Sequence, residues 1–399
     1  MIRPMTRVLL LLPTATYRAA DFIDAARELG VEVVVASEER PILADTMGDR
    51  AVVVTLDDPS AGAAAIEELD ARHGIDAVVA VDDQGVLVAA HAGEVLGFPH
   101  NPPDAAARTR DKAAMRLALE AGEVPQPRFA IFEDPDDVPS IGFPCVVKPS
   151  RLSASRGVIR ANDADEARAA ARRASDIAAG GTLLVEEYVP GDELALEGLL
   201  RDGELEVLAM FDKPDALEGP YFEETIYVTP ARFDDATARD IERVVTDAAT
   251  ALGLREGPIH AEVRVHDHRV WVLEVAARSI GGLCARALRF GAGISLEEVI
   301  LRHALGRDLG DLARESTASG VMMLPIPRAG RLSAVNGQDD ARAVPGIVGL
   351  EITIPIGREV QPLPDGDRYL GFLFARADTP DEVESALRAA HAALDVAIT

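Results

Sequence analysis

The sequence predicts a mixed α/β and α+β fold. Short apolar strands alternate with helices over roughly residues 1–100, which predicts an N-terminal doubly wound α/β domain. From Arg128 the pattern changes to strand, turn and strand, which predicts a strand-rich middle region. From about Ile294 the chain mixes helix with short strands rich in Gly and Pro, so we expect a C-terminal α+β extension.

The N-terminal elements follow from apolar periodicity and from residues that end helices. Residues 17–29 place Phe22, Ala26 and Leu29 on one helical face, and Gly30 ends this helix. The predicted strands are residues 8–12, 31–36, 51–56 and 77–81, with a further helix from 58 to 72. The domain is expected to end at residues 100–103.

In the middle of the chain, Asp104 is the expected N-cap of a helix that runs to Ala121. Further strands are predicted at residues 143–148, 157–160, 183–188, 193–200, 205–211, 259–265 and 270–275. Helices are predicted at residues 163–178 and 236–252. A final amphipathic helix carries Val383, Leu387, Ala390 and Leu394 at helical spacing.

The composition excludes several classes of protein. The 399 residues carry a formal net charge of −27, which argues against a nucleic-acid or anionic membrane surface, and the apolar share of 48% excludes general disorder. The apolar run at residues 8–12 is short for a signal peptide, and no stretch approaches the ~20 apolar residues of a membrane helix. The two cysteines lack metal or disulfide-framework spacing. We therefore expect a cytoplasmic protein with no nucleic-acid or membrane partner.

Lys148 ends an apolar strand and precedes a loop of small residues. In the segment PCVVKPSRLSASRGV, residues 144–158, Ser153, Ser155 and Gly157 let backbone N–H groups approach an anion. A lysine beside such a loop supplies a point charge for a phosphate. The segment is not the P-loop pattern GxxxxGK[ST], and an edge lysine before an ordinary hairpin explains it equally well.

A second candidate is the acidic turn in residues 183–198, LLVEEYVPGDELALEG. An apolar strand ends in Glu186 and Glu187, turns at Pro190 and Gly191, and places Glu193 on the next strand. Such a turn can be a hinge whose backbone pairs with an adenine edge while a carboxylate binds ribose hydroxyls. A charged β-turn without a ligand is the alternative, and the acids alone do not decide between the two.

The most informative pattern is a pair of glutamates on two apolar strands joined by a tight turn. Glu262 and Glu274 each lie about six residues from the turn centre at Asp267, so they are near-opposite across the ladder. Like charges in this position are destabilising without a cation, and carboxylates near phosphates are typical of Mg²⁺ sites. Arg278 follows and can reach a phosphoryl group or an oxyanion. Solvated strand charges are the alternative.

Three weaker candidates are found elsewhere in the sequence. His260 shares a strand face with the first glutamate of the pair and can contact substrate or phosphate, or pack in the core. Glu223 and Glu224 can bind a substrate ammonium group, with a surface acidic turn as the alternative. Gly281 and Gly282 offer backbone N–H groups for a substrate carboxylate, although a plain strand-to-helix turn explains the same glycines.

Taken together and in this order, these segments resemble the ATP-grasp superfamily over nearly the whole chain. Within it, the sequence is most similar to carboxylate–amine ligases of the L-amino acid ligase (dipeptide synthetase) type. The resemblance implies a pre-ATP-grasp α/β domain at 1–103 and a linker helix with the first lobe of a two-lobed ATP-grasp fold at 104–190. It also implies a second lobe with the metal site at 191–300 and a C-terminal α+β extension at 301–399.

The resemblance also implies roles for individual residues. Lys112, in TRDKAAM, and Lys148, in VVKPS, match the two nucleotide-phosphate lysines. Residues 153–157 match the flexible loop that closes over the phosphates. The remaining matches are Glu186, Glu187 and Val189 for the adenine hinge, Glu193 for the ribose carboxylate, Glu262 and Glu274 for Mg²⁺, and Arg278 for the acyl-phosphate and tetrahedral states.

Two features depart from the superfamily pattern. Many ATP-grasp enzymes have Asn two residues after the second metal glutamate, where this chain has Ala276, so one Mg²⁺ contact is missing or comes from elsewhere. The loop after Lys148 has fewer glycines than usual and carries Arg151 and Arg156.

Lysine is rare in this chain, since only three of the 40 basic residues are lysines. Two of them, Lys112 and Lys148, match phosphate ligands. At a crowded phosphate site, the planar guanidinium of arginine is not a free substitute for the compact ammonium of lysine. By the same reasoning we predict that Lys213 borders the active site, on the loop that leads to Glu223.

The sequence therefore predicts an ATP-dependent carboxylate–amine ligase that uses ATP and Mg²⁺. A substrate carboxylate would attack the γ-phosphate to give an acyl phosphate and ADP, and the amine of a second amino acid would displace phosphate. The predicted catalytic residues are Lys148, His260 and Arg278. The predicted substrate-binding residues are Lys213, Glu223, Glu224, Arg278, Gly281 and Gly282.

Other functions remain open at this stage. One is carboxylation through carboxyphosphate, and another is a degenerate nucleotide-binding protein, which Ala276 suggests. A dinucleotide oxidoreductase is disfavoured because the turn after the first strand has no GxGxxG. The expected partners are a small-molecule carboxylate and an amine, and a homodimer is compatible with the sequence.

Overall fold

The computed structural model describes residues 5–14, 16–39, 50–366 and 368–399. Its N-terminal elements are β1 (Arg7–Leu11), α1 (Ala19–Glu28), β2 (Glu32–Ser37), β3 (Ala51–Val53), α2 (Pro59–His73), β4 (Ala77–Ala80) and α3 (Val86–Leu96). The four strands form a parallel sheet in the order β3-β2-β1-β4. The predicted N-terminal α/β domain is confirmed.

This sheet forms because its central strand is apolar throughout. Residues 8–11 of β1 are fully buried, and Leu10 lies between Val35 of β2 and Val79 of β4. Asp58 caps α2 by accepting the backbone N–H of Ala61 at 3.0 Å. Strand β3 is shorter than the predicted strand 51–56.

The predicted helix at 104–121 is instead two helices, α4 (Pro103–Thr109) and α5 (Lys112–Ala121). No side-chain cap begins α4, so the expectation that Asp104 is the N-cap is wrong. Asp111 separates the helices because its carboxylate accepts backbone N–H groups in the first turn of α5. The break places Lys112 at the start of a helix rather than in the middle of one.

The next elements form the first lobe, an antiparallel sheet with one helix. They are β5 (Phe129–Phe132), β6 (Cys145–Pro149), β7 (Ile159–Ala161), α6 (Ala164–Ala178) and β8 (Leu183–Glu187). The strand order is β5-β8-β6-β7. The buried face of α6 consists of alanines, which allows the helix to pack closely on the sheet; they are Ala167, Ala170, Ala171 and Ala174.

The remaining elements build the second lobe and the C-terminal part. The second lobe comprises β9 (Asp192–Arg201), β10 (Glu204–Asp212), β11 (Ile226–Thr229), α7 (Asp235–Leu252), β12 (Gly257–His266) and β13 (Arg269–Ala276). The later elements are α8 (Leu296–Ala304), β14 (Ala318–Leu324), β15 (Gly330–Asn336), α9 (Gln338–Ala343), β16 (Ile347–Ile352), β17 (Glu359–Val360), β18 (Gly371–Ala377), α10 (Pro380–Ala392) and β19 (Asp395–Ile398).

One eight-stranded sheet joins these parts, in the order β13-β12-β9-β10-β11-β14-β18-β16. It continues past residue 300, since β14, β16 and β18 extend the sheet that the second lobe begins. The domain boundaries at 103, 190 and 300 therefore stay predictions. A three-stranded sheet, β17-β15-β19, completes the C-terminal part. Within the described ranges, no helix combines the length and apolarity that a membrane crossing needs.

Candidate active site

A cleft of about 390 Å³ lies where the two lobes, the N-terminal domain and the C-terminal part meet. Most of the predicted site residues line it: Lys112, Lys148, Ser153, Ser155, Glu186, Glu187, Val189, Glu193, Glu224, His260, Glu262, Glu274, Arg278, Gly281 and Gly282. Three predicted residues are not among its lining residues in the described structure, namely Gly157, Lys213 and Glu223. Lys213 nevertheless contacts three of the lining carboxylates.

Glu186 is buried between two cations on one wall of the cleft. Arg116 donates from Nε to Glu186 Oε1 at 2.7 Å and from Nη2 to Oε2 at 3.1 Å, and Lys148 Nζ lies 2.7 Å from Oε2. Burial alone would raise the pKa of Glu186, but the charges of Arg116 and Lys148 lower it to about 2. Glu186 is therefore an anion that fixes the position of Lys148.

Lys112 projects from the first turn of α5. Its Nζ donates to the carbonyl oxygen of Leu152 at 2.7 Å and lies 3.3 Å from the carboxylate of Glu274. All three lysines of the chain, Lys112, Lys148 and Lys213, are buried, with 7–8% of their surface exposed. Lysines are almost never buried without partners, so this placement sets all three apart from the surface arginines.

The small-residue loop after β6 turns through left-handed backbone. Ala154 and Ser155 have φ of 57° and 54°. Gly157, at φ 70°, packs on Pro149, where a Cβ would lie 2.9 Å from Cγ. Its N–H donates to the carbonyl oxygen of Pro364 at 3.4 Å, so the loop also contacts the C-terminal part.

The predicted hinge follows β8. Glu187 accepts from Arg128 Nε at 2.8 Å near the surface. The carbonyl oxygen of Val189 accepts from Arg264 Nη1 at 2.7 Å. The ring of Tyr188 lies between two guanidinium groups, with Arg264 at 5.1 Å and Arg160 at 4.2 Å from its centroid.

Three carboxylates that line the cleft converge, and each offers an oxygen within 4.8 Å of the others; they are Glu193, Glu224 and Glu262. Lys213 Nζ lies 2.9 Å from Glu193, 3.1 Å from Glu262, and pairs with Glu224. Burial and the charge of Glu262 raise the pKa of Glu224 to about 7, against the effect of Lys213. Such hard carboxylate oxygens are the donor set that fits Mg²⁺.

The cross-strand glutamate pair is confirmed by the register of β12 and β13, which places Glu262 directly opposite Glu274. Each of the two has its own cation, Lys213 for Glu262 and Lys112 for Glu274. The like-charge pair is thereby neutralised by side chains of the chain itself.

His260 is buried against Glu197, a residue that sequence reasoning missed. The Nδ1 atom of His260 donates to Glu197 Oε1, and its Nε2 atom lies 3.4 Å from Glu262. Burial would lower the pKa of His260, but the charges of Glu197 and Glu262 raise it to about 9. The second oxygen of Glu197 accepts the backbone N–H of Ile280 at 2.9 Å.

Arg278 also lines the cleft and pairs with the N-terminal domain. Its Nε and Nη2 donate to the two carboxylate oxygens of Asp83 at 3.1 and 3.2 Å. The next residue, Ser279, accepts from Arg18 Nη2 at 2.8 Å. The backbone of Gly281 is open, since no heavy atom lies within 4 Å of where its Cβ would be.

Two tyrosines that line the cleft, Tyr17 and Tyr369, pack against the buried ring of Phe372. The ring of Phe372 meets that of Tyr17 at 5.5 Å and that of Tyr369 at 6.2 Å, both edge to face. Gly282, at φ 60°, allows this approach, because a Cβ there would lie 2.9 Å from the Phe372 ring.

Several ion-pair partners were missed by sequence reasoning: Arg116, Glu197, Arg264, Asp83 and Arg18. Only Glu197 left a signal, since it follows Glu193 on the same face of an apolar strand. Glu223 is half-buried behind the cleft, and burial raises its pKa.

The cleft combines three kinds of group. Lys148 from β6 and Lys112 from α5 supply cations, a cluster of carboxylates lies beside them, and Arg278 is followed by the open backbone of Gly281. Such a cleft can bind a polyanion together with a second charged group.

Three family models match the chain. They are the ATP-grasp N-terminal domain over residues 23–100, the ATP-grasp domain over residues 141–287 and the L-amino acid ligase C-terminal domain 2 over residues 322–399. The middle match contains all of β6 to β13 and therefore most of the cleft.

Similar proteins include two kinds of named ligase. Alanine–anticapsin ligase of Bacillus subtilis is 26% identical over 254 residues, which cover 57% of this chain and 53% of that protein. The match thus spans about half the length of the anticapsin ligase. D-Alanine–D-alanine ligase of Acidovorax ebreus is 27% identical over 273 residues, covering 63% of this chain and 77% of that protein.

Solved structures agree in fold. The crystal structure of L-amino acid ligase from Bacillus licheniformis superposes with a TM-score of 0.84 at 24% identity and covers 100% of both chains. The predicted fold class, with an α/β N-terminal domain, a two-lobed grasp and a C-terminal α+β extension, is confirmed.

Proposed function

This chain is a member of the ATP-grasp superfamily, and we propose that it is an ATP-dependent ligase that joins an amino-acid carboxylate to the amine of a second amino acid. The observation that carries the proposal is a single cleft lined by two buried lysines, a carboxylate cluster and Arg278. The amino acid ligases among the similar proteins support amino acids as substrates.

In the first step, a substrate carboxylate oxygen attacks the γ-phosphorus of ATP. The bond to the β-phosphate oxygen breaks, and an acyl phosphate and ADP form. Lys112 and Lys148 would bind the phosphates. Glu186 would remain paired with Arg116 when Lys148 turns to a phosphate. Glu262 and Glu274 would hold Mg²⁺, which neutralises phosphate charge when bound.

In the second step, the amine nitrogen attacks the acyl carbon, the carbon–oxygen bond to phosphate breaks, and the proton released from the nitrogen passes to the departing phosphate. Arg278 and the N–H groups of Gly281 and Gly282 would stabilise the tetrahedral oxyanion. Glu224, which lines the cleft, would bind a substrate ammonium group. The loop that carries Ser153 and Ser155 would exclude water from the acyl phosphate.

The nucleotide base and ribose would occupy the hinge side of the cleft. There, backbone groups from Glu187 to Val189 would pair with adenine, and Glu193 would bind the ribose hydroxyls. Glu193 is paired with Lys213 and Arg264 in the structure, so binding of the ribose hydroxyls would have to rearrange these contacts.

An ADP-release screen over pairs of amino acids, with products identified by mass, tests the proposal. We expect ADP release that requires both amino acids, and transfer of ¹⁸O from a labelled substrate carboxylate into phosphate. Lys148→Met should abolish ADP release. Arg243→Ala, an exposed residue of α7, is the control that should retain it.

Two results would contradict ligation. ADP release that depends on bicarbonate and needs no amine would indicate carboxylation. Tight ATP binding without turnover on any amino-acid pair would indicate a degenerate nucleotide-binding protein. The predicted homodimer and cytoplasmic location need separate tests, by sedimentation and by cell fractionation.

A further inference from the structure

Glu197 is a buried carboxylate that the proposed mechanism does not use. It is only 1% exposed, and it lies directly opposite His260 in the ladder between β9 and β12. One oxygen accepts from His260 Nδ1, and the other accepts the backbone N–H of Ile280 at 2.9 Å. A single side chain thus joins the carboxylate region of the cleft to the loop that follows Arg278.

That loop is held at three successive residues by charged side chains from elsewhere in the chain. The pairs are Arg278 with Asp83, Ser279 Oγ with Arg18 at 2.8 Å, and Ile280 N–H with Glu197 at 2.9 Å. Arg18 and Glu197 are both 1% exposed. Gly281 and Gly282, which line the cleft, therefore extend from a backbone with little freedom to move.

We propose that Glu197 is a positioning residue that holds the His260 ring and the loop 278–282 in a fixed relation. Its Nδ1 contact orients the ring so that His260 Nε2 points toward Glu262, at 3.4 Å. Its contact with Ile280 sets where Arg278 and the two glycines meet a substrate. The inference rests on the proposed function, because that function gives the loop its role in binding the oxyanion.

The chemistry of the site makes glutamine a sharp probe. Both partners of Glu197 are N–H donors, and a carboxylate has an acceptor oxygen for each. A glutamine amide has one acceptor oxygen and one donor group, so Glu197→Gln must either release Ile280 or force His260 to accept at Nδ1. In the second case Nδ1 carries no proton, and the ring keeps only the N–H at Nε2, which faces Glu262.

The main experiment is steady-state kinetics of Glu197→Gln. We expect kcat to fall about tenfold or more and KM for the amino acids to change, with KM for ATP within about twofold of wild type. Glu186→Gln should instead raise KM for ATP, because Glu186 positions Lys148. Glu206→Gln, an exposed glutamate on the neighbouring strand β10, is the matched control. Wild-type kcat in Glu197→Gln, or an equal rise in every KM, would overturn the proposal.

A second measurement does not need turnover. The ¹⁵N spectrum of the eight histidines, with His260 assigned by its loss in His260→Gln, should show His260 bonded to a carboxylate through Nδ1. The signal should change in Glu197→Gln, and an unchanged signal would overturn the proposal. If wild type joins no amino acids, the proposed ligation fails, and this spectrum still decides whether Glu197 orients the ring. If Glu197→Gln does not fold, the wild-type spectrum decides, and a His260 without a carboxylate bond at Nδ1 would overturn the proposal.

Discussion

Replacing Arg116 with methionine should weaken both folding and ATP binding, because Arg116 neutralises Glu186 independently of Lys148. In the structure, Glu186 receives two contacts from Arg116 and one from Lys148, and all three side chains are buried. With Arg116 present, Lys148 can turn to a phosphate without leaving Glu186 as an uncompensated buried anion. Without it, Lys148 is the sole remaining cation at Glu186.

The expected magnitude follows from the contacts that are lost. Removing one partner of a buried ion pair costs about 3–5 kcal/mol, and Arg116 also donates to the carbonyl oxygens of Val272 and Leu273, at 3.1 and 2.7 Å. Since Lys148 still partly neutralises Glu186, we expect the free energy of unfolding to fall by about 3 kcal/mol. ATP should bind about tenfold more weakly, which corresponds to about 1.4 kcal/mol.

The assays are chemical unfolding followed by circular dichroism, and calorimetric titration with ATP. The double variant Arg116→Met with Glu186→Gln removes the anion together with its cation, so it should lose less stability than the sum of the single variants, by about 1–3 kcal/mol. Additive losses would refute the reasoning, as would unchanged ATP affinity in Arg116→Met. Arg243→Ala controls for the loss of an exposed arginine.

Three further predictions concern the rest of the cleft. Lys213→Met leaves three carboxylates close together, so its melting temperature should drop without Mg²⁺ and respond more strongly than wild type to added Mg²⁺; equal responses would contradict this. The pKa of His260 is raised from 6.5 to about 9, so the stability from its charge is present below about pH 6.5 and is lost as the pH rises through about 9. The difference in melting temperature between wild type and His260→Gln should shrink over that range, and a constant difference would argue against it. Gly282→Ala should cost about 1–2 kcal/mol in the free energy of unfolding, because its left-handed φ and the Phe372 ring both oppose a Cβ; Gly281→Ala has open space and should keep wild-type stability.

Much of the local architecture was predictable from the sequence. Apolar strands alternating with helices predicted the parallel N-terminal sheet, since a buried strand must be apolar on both faces. The turn at Asp267 and His268 brings Glu262 and Glu274 near each other across the hairpin, and a register shift between Glu262 and Val263, which the sequence did not reveal, places them directly opposite. The rarity of lysine pointed to Lys213, which is buried among three carboxylates of the cleft region.

Other features depended on contacts between distant parts of the chain. Glu186 pairs with Arg116 from 70 residues away, Glu197 with His260 from 63, and Arg278 with Asp83 from 195. A sequence of 40 basic and 67 acidic residues offers too many pairings for composition to choose among them. The break at Asp111 was also missed, because an aspartate within a helical pattern can either face solvent or cap a new helix.

The sequence by itself determined the order of elements, the fold class and the residue types available for phosphate and metal chemistry, because these depend on local periodicity and spacing. Only the tertiary structure decided which charges are neutralised and by which partners. Burial makes an unpaired charge costly, so the buried carboxylates and lysines of the cleft take their positions from partners that folding brings within a few ångströms.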